Sequence, residues 1–313
     1  MQLDDHRILV TGGAGFIGSK LVTRLDQVGC DVHVVDSYFT GESDFLPATV
    51  STSHLDIRNL GPIKEIVRDY DPTVIIHLAA IHHIPYCTAN PEETFNVNVI
   101  GTRNVLSAAR ELDQLAAVVY ASTAAVYPPE LGPLHEEIEP DPIDIYGRTK
   151  LVGEDLLREF SQATAVPSVS ARLFNVYGPN ETNMHLIPAI IEQIDSHDLV
   201  IELGNLYPER DFVNVHDVVR AFVAILRNIG AGYRTYNIGT GTSHSVREVV
   251  ETVDELLEDH LEIKQDEHRV RDVDRDRLQA DMQRLSEETG WSPKVDLRHG
   301  LDEILGAESD REL

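Results

Sequence analysis

An apolar run, Arg7–Thr11, passes directly into Gly12-Gly13-Ala14-Gly15-Phe16-Ile17-Gly18, and that turn opens an amphipathic stretch over 17–28. Such an order is satisfied by a strand, a tight turn and a helix. Gly12 and Gly15 permit the turn and bring bare backbone close to a ligand, while Gly18 lets helix and strand pack closely. The free N–H groups at the positive end of the helix then face the turn, where they suit an anion such as a pyrophosphate.

An acid ends the next strand-like run, Asp31–Asp36, 18 residues beyond Gly18. A carboxylate at Asp36 accepts hydrogen bonds from adenosine ribose hydroxyls and repels a 2′-phosphate, which favours NAD over NADP. Residues 37–41 contain no Arg, which points the same way. The competing reading of Asp36 is a strand-end acid capping a turn. Asp56-Ile57 closes a third strand-like stretch and is a candidate for contact with the adenine amino group.

Further Val- and Ile-rich runs at 73–78 and 116–121 are separated by helical patterns. Runs apolar on both faces indicate parallel strands covered by helices on both sides, an α/β doubly wound parallel sheet. The second half is less regular. Residues 166–173 read as a strand and 246–258 as a helix, while 264–283 is charged enough to pass for a solvated linker. The last eight residues read as a frayed acidic tail.

The chain carries 26 Lys plus Arg against 53 Asp plus Glu, a formal charge of −27. That field repels nucleic acid and anionic lipid, so neither partner is expected. Lysine is confined to Lys20, Lys64, Lys150, Lys264 and Lys294. Acid excess with so little lysine fits a merely acidic surface or a salt-rich cytoplasm, where a Debye length of about 3 Å at 1 M screens self-repulsion. Cys30 and Cys87 are too few for a disulfide framework and suit a reducing compartment. No window holds 18 consecutive apolar residues, and the start has no basic segment ahead of the first strand. A cytoplasmic protein with no membrane span is the expectation.

Tyr146-Gly147-Arg148-Thr149-Lys150 introduces another amphipathic helix, to about residue 163. The i, i+4 spacing sets Tyr and Lys on one face, about 5–6 Å apart at Cβ. A free phenol, with a pKa of about 10, is a poor base at neutral pH. A nearby ammonium, together with a positive nicotinamide ring, favours the phenolate. Taken alone the pair reads equally as ordinary helix surface. A strand ending in Ser122-Thr123, 23 residues upstream of Tyr146, adds a hydroxyl at the carboxyl end of the sheet, facing the cofactor crevice.

The chain resembles the extended short-chain dehydrogenase/reductases, in particular their nucleotide-sugar epimerase/dehydratase group. The resemblance is carried by TGGAGFIGS (11–19), Asp36, Asp56-Ile57, HLAA (77–80), NVIGT (98–102), STAAVY (122–127), YGRTK (146–150), RLFNVYGP (172–179), RDFVNVHDV (210–218) and NIGTG (237–241). It implies a Rossmann NAD-binding domain of 1–174 plus about 211–240. A smaller, mixed nucleotide-sugar-binding domain is implied over about 175–210 plus 241–313. NAD contacts are implied for Gly12, Gly15, Phe16, Ile17, Gly18, Asp36, Asp56, Ile57, Leu78, Ala79, Ala80, Asn98, Tyr146 and Lys150.

By the same resemblance Tyr146 is the catalytic base, and Lys150 binds the nicotinamide ribose and lowers the Tyr pKa. Thr123 steadies the reacting oxygen, with Ser122 able to share that work. Asn175 and Arg210 fall where the group contacts the nucleotide and diphosphate, and Arg269 and Asp272 belong to a late charged element expected to fold over substrate. A homodimer packed through helices near 91–111 and 146–163 is also implied. The stripe Val97, Ile100, Val105, Ala108 fits such a face and fits an internal face equally.

The sequence departs from the group in places. Members that dehydrate across C5 and C6 carry acid after the strand-end Thr; here Ala124 and Ala125 stand there, and methyl groups move no protons. His82 and His83 occupy the loop after HLAA, where they either serve the sugar as hydroxyl ligands or proton carriers, or pack on Tyr86 or face solvent. Adjacent loop residues point apart, so no metal site is expected. Pro128 replaces the usual glycine after VY, and Gly204-Asn205-Leu206 resembles members that handle GDP-sugars. The expected activity is NAD-dependent 4-epimerisation of a UDP-sugar, either plain or N-acetylated, through a transient 4-ketone. The rivals are a 4-ketosugar reductase or GDP-sugar enzyme of the same fold, and a non-catalytic NAD-binding regulator.

Overall fold

Side chains alternate across a strand, so a strand buried on both faces needs apolar residues at every position. The first strand, β1 (Arg7–Thr11), meets that demand: Ile8 and Val10 enter one core and Leu9 the other. The computed structural model describes residues 1–129, 132–196, 200–257, 261–266 and 275–309. After β1 come α1 (Phe16–Gln27), β2 (Asp31–Asp36), β3 (Ser51–His54), α2 (Leu60–Tyr70) and β4 (Val74–His77). Short helices α3 (Ile84–Ala89) and α4 (Pro91–Phe95) lead through a π-helical turn, Asn96–Gly101, into α5 (Thr102–Ala109). Then follow β5 (Ala117–Thr123), α6 (Ile145–Thr164) and β6 (Ser168–Leu173).

The later part contains β7 (Asn175–Tyr177), α7 (Leu186–Asp195), β8 (Val200–Leu203), β9 (Glu209–Arg210), β10 (Phe212–Asn214), α8 (Val215–Asn228) and β11 (Tyr233–Ile238). It ends with β12 (His244–Ser245), α9 (Val246–Leu257), β13 (Glu262–Gln265), β14 (Arg277–Leu278), α10 (Gln283–Thr289) and α11 (Leu297–Ser309). Among the described residues no helix is long and apolar enough to cross a membrane.

Seven strands form one parallel sheet in the order β11-β6-β5-β4-β1-β2-β3. One face packs on α1 and α8 through Leu21, Val22, Leu25, Phe222 and Leu226, and the other on α2, α5 and α6 through Ile63, Val67, Val105, Leu157 and Phe160. The doubly wound reading is therefore correct. Because β1 pairs with both β2 and β4, the winding reverses beside it and opens a crevice at the carboxyl ends of those strands. His77, at the end of β4, bonds Thr11 at 2.6 Å and Thr102 at 2.9 Å, tying β1, β4 and α5 together. Burial pushes its pKa down to about 3, so it is neutral.

Small sheets, β10-β7, β12-β9-β14 and β13-β8, accompany a separate core built on Ile187, Ile190, Ile201, Val249, Val253 and Leu301. Two expectations change here. The charged stretch 264–283 is no linker at its ends: β13 pairs with β8, β14 pairs with β9, and Leu278 and Ala280 are buried. Its middle, with Arg269 and Asp272, lies outside the described residues. The supposed acidic tail starts inside α11, which runs to Ser309. Of the apolar stripe, Val105 and Ala108 are buried where α5 packs on α2 and α6, while Val97 and Ile100 are half-buried.

Candidate active site

A cavity of 1380 Å³ runs along the carboxyl ends of the central strands and across to β9, β10 and α7. Pockets for one drug-sized ligand hold about 300–1,000 Å³; this one has room for more.

The glycine turn forms one wall. Gly12 has φ +73°, and a Cβ there would stand 2.6 Å from the Ala79 nitrogen, so β1 and the chain after β4 approach closely through it. A Cβ on Gly18 would lie 2.2 Å from Gly12 O; the helix packs on the turn itself. Gly15 differs: a Cβ would meet Gly12 O at 3.5 Å and otherwise enter the cavity. Nothing in the protein demands glycine there, whereas a pyrophosphate lying on the amino end of α1 does. Asp36 stands beside this turn, its carboxylate accepting Ala14 N at 2.9 Å and Tyr38 N at 2.8 Å. Those amides fix the acid while it still borders the cavity, as a ribose ligand must. The residues present thus fit a dinucleotide.

Phe16, Ile17, Ile57, Leu78, Ala79 and Ala80 also line the cavity. Asp56 does so too, with its carboxylate held by the Arg58 guanidinium at 2.5 and 2.8 Å. Arg58 borders the cavity and went unread in the sequence, although a cation two residues beyond an acid at a strand end was there to see. Asn98 is not among the residues lining the cavity. Its amide is spent on Ile81, at 2.8 and 2.9 Å, and on Thr149 at 3.0 Å. It braces the loop after β4 against α6 from behind the wall.

Tyr146, Lys150 and Thr123 come together as the spacing requires. Asp144 caps α6 by accepting Gly147 N at 2.7 Å, which starts the helix one residue before Tyr146. Thr123 accepts Ala125 N at 3.1 Å, and its hydroxyl pulls the Tyr146 phenol's pKa down. Burial outweighs that and holds the phenol above its usual range. The expected depression by lysine is not met in the chain by itself. Lys150 is buried with its ammonium 4.2 Å from the Tyr120 ring centroid, and burial lowers its own pKa to about 7 against the upward pull of Glu154. Desolvation penalises both charged forms, so burial by itself works against a phenolate–ammonium pair.

Ser122 lines the cavity beside Thr123. Its hydroxyl donates to Glu154 at 2.5 Å, and Glu154 in turn takes a bidentate pair from Arg172 at 2.7 and 2.9 Å. Ser122 thus also serves a buried ion pair. Ala124 and Ala125, both buried, form the turn after Thr123 and offer no proton carrier.

On the far side, Asn175, Arg210, His82 and His83 line the cavity, as do Gly204 and Asn205. Arg210 donates to the carbonyls of Glu209 and Arg275, at 2.8 and 2.7 Å. Sequence reading missed Arg275, which donates to the carbonyls of Ala125 and Tyr127. It also missed Glu181 and His185, whose four-residue spacing was a usable signal. Among the described residues no cluster of His, Cys, Asp or Glu is arranged to hold a metal ion.

Known proteins resemble the whole of this architecture. A solved UDP-glucose 4-epimerase from Thermotoga maritima, with UDP-glucose, has a TM-score of 0.91 at 28% identity, covering 98% of this chain and all of its own. The Thermus thermophilus UDP-glucose 4-epimerase in complex with NAD gives 0.86 at 31% identity, covering 96% and 99%. GDP-6-deoxy-D-mannose reductase of Pseudomonas aeruginosa is 29% identical over 96% of both chains. Residues 8–239 match the family described as NAD dependent epimerase/dehydratase, and the chain belongs to that family, with NAD as its cofactor.

Proposed function

We propose that the protein is a UDP-sugar 4-epimerase of the UDP-glucose/UDP-galactose type, with N-acetylated hexoses as possible alternatives. The observation that carries this reading is Tyr146 lining one cavity with Thr123, one turn from Lys150, with alanines at 124 and 125. Bound NAD supplies a hydride acceptor and a positive charge beside the phenol. Tyr146 takes the 4-hydroxyl proton as C4 gives up hydride, and Thr123 holds the oxygen in place. Lys150 binds the nicotinamide ribose, while Asn175 and Arg210 grip the nucleotide and diphosphate. Once the ketone has turned about its diphosphate link to present its other face, Tyr146 would return the proton to the C4 oxygen, with Thr123 again steadying it. No external reductant is consumed.

The reading places the NAD-binding domain at 1–174 plus about 211–240 and the sugar-nucleotide domain at about 175–210 plus 241–313. It includes a cytoplasmic homodimer formed through α4, α5 and α6, on which Phe95 and Val152 are exposed apolar residues. It also includes adaptation to a salt-rich interior. With a charge of −27, the melting temperature is expected to climb steeply from low to molar KCl, and a flat titration would remove that part.

A reductase or GDP-sugar activity is favoured by Gly204 and Asn205 at the cavity wall and by the similarity to the Pseudomonas reductase. Incubation at molar KCl with UDP-glucose, UDP-N-acetylglucosamine and GDP-mannose, and separately with NADH plus a 4-keto sugar nucleotide, with products read by NMR, separates the two. Inversion at C4 of a UDP-sugar without NADH uptake is expected. Stoichiometric NADH consumption by a 4-keto sugar nucleotide, with no inversion, would select the reductase.

A further inference from the structure

Three histidines and a glutamate line the cavity, and the reaction above uses none of them. His82 and His83 follow β4, and His185 immediately precedes α7. The His185 ring centroid lies 5.7 Å from that of His82 and 5.8 Å from that of His83. Asn98 ties Ile81, next to His82, to Thr149, next to Lys150, which puts this group toward the Tyr146–Lys150 end of the cavity.

The members are not equivalent. Asn183 donates to His82 Nε2 at 3.2 Å, and burial pushes its pKa down to about 3. His82 is therefore a fixed, neutral ring. His185 is bonded through Nδ1 to Oε1 of Glu181, four residues earlier. The Glu181 side chain is 5% exposed, whereas that of His185 is 40% exposed. A carboxylate on Nδ1 keeps the proton on that nitrogen and turns the lone pair of Nε2 outward, the arrangement by which an oriented imidazole acts as a base.

We propose that His185, held by Glu181, is a second acid–base residue of this site, acting on a sugar carbon next to the one Tyr146 oxidises. This rests on the epimerase reading, because it needs the C4 ketone. Once that ketone exists, the hydrogens on C3 and C5 are acidic. The C–H bond breaks, an N–H bond forms at His185 Nε2, and the electron pair passes into an enolate whose charge sits on the C4 oxygen beside Thr123 and Tyr146. The proton, or one exchanged from water, returns to the same carbon. Return on the original side leaves a solvent hydrogen; return on the other side inverts a second centre. No oxidant or reductant is required.

The test is turnover by the NAD-loaded enzyme in D₂O with UDP-glucose, UDP-N-acetylglucosamine and GDP-mannose, read by NMR. The hydride that leaves and re-enters C4 does not exchange with water, so Tyr146 chemistry alone puts no deuterium on carbon. Deuterium at C3 or C5 is expected in a sugar that is also inverted at C4. The ratio of deuterium to inversion is expected to fall at least about tenfold in His185→Gln and also in Glu181→Gln. Inversion without carbon-bound deuterium in the wild type overturns the proposal, as does an unchanged ratio in a variant. If one variant fails to fold, the other and the wild type still decide. Absence of inversion with all three sugars overturns the epimerase reading, and this proposal with it.

Discussion

At the glycine turn, the protein itself settles the conformation: Gly12 and Gly18 are pressed against backbone, and Asp36 is pinned by two amides. At the opposite end, His82, His83 and His185 stand on loops and lean on one another, Asn183 and Glu181. The first end meets its ligand through backbone and must be rigid before the ligand arrives. The second meets it through side chains, which can be exchanged without disturbing the sheet. Cofactor choice is thus built into the fold, and sugar choice is added to it.

Tyr146 sits where the two ends meet, and its loss is expected to have the largest effect. Tyr146→Phe keeps the ring and removes the proton carrier, so turnover should fall by about 10²–10⁴-fold while NAD remains bound. Steady-state rates and the dinucleotide content of purified protein check this. A variant as active as wild type would move the chemistry to the histidine end.

Two glycine substitutions sharpen the same comparison from the cofactor side. Gly18→Ala forces a Cβ against Gly12 O, where no side chain can give way, and should destabilise by about 1–3 kcal/mol. Gly15→Ala has no such clash and an ordinary extended backbone, φ −75°, so folding should lose less than about 1 kcal/mol. Its methyl group enters the cavity, and NAD affinity should drop. Urea melts and NAD titrations of both variants separate the roles; equal stability losses would mean that Gly15 is also a packing residue.

The sequence was easiest to read where backbone geometry leaves a residue signature. Glycine spacing, the acid after β2 and the Val- and Ile-rich strands each have one physical cause. Side-chain roles were harder. Ser122 and Asn98 occupied positions of the right kind, yet both bond protein partners that appear only once β5, α6 and the π-helical turn are assembled. The stripe on α5 could not be assigned to a dimer or a core because burial in either gives the same pattern. The pairing of β13 with β8 and β14 with β9 was hidden because two-to-four-residue strands rich in charge carry no periodicity.

A further expected effect concerns Lys150, whose pKa falls from 10.5 to about 7 because burial outweighs the attraction of Glu154. The folded chain therefore binds this proton less readily than the unfolded chain does. At pH values above about 10.5 both states hold the neutral amine and no penalty arises. As pH falls the unfolded chain takes up the proton first, so folding loses stability until the folded amine protonates near 7, and below that the penalty is constant. Lys150→Met abolishes this titration. The unfolding free energy of wild type minus variant, from urea melts of NAD-free protein, should decline between about pH 10 and 7 and then level off. A difference independent of pH would mean that the ammonium is already charged beside Tyr146 in the empty site. The phenolate would then be favoured before the cofactor binds, and the cofactor end would resemble the histidine end in carrying its acid–base character on side chains alone.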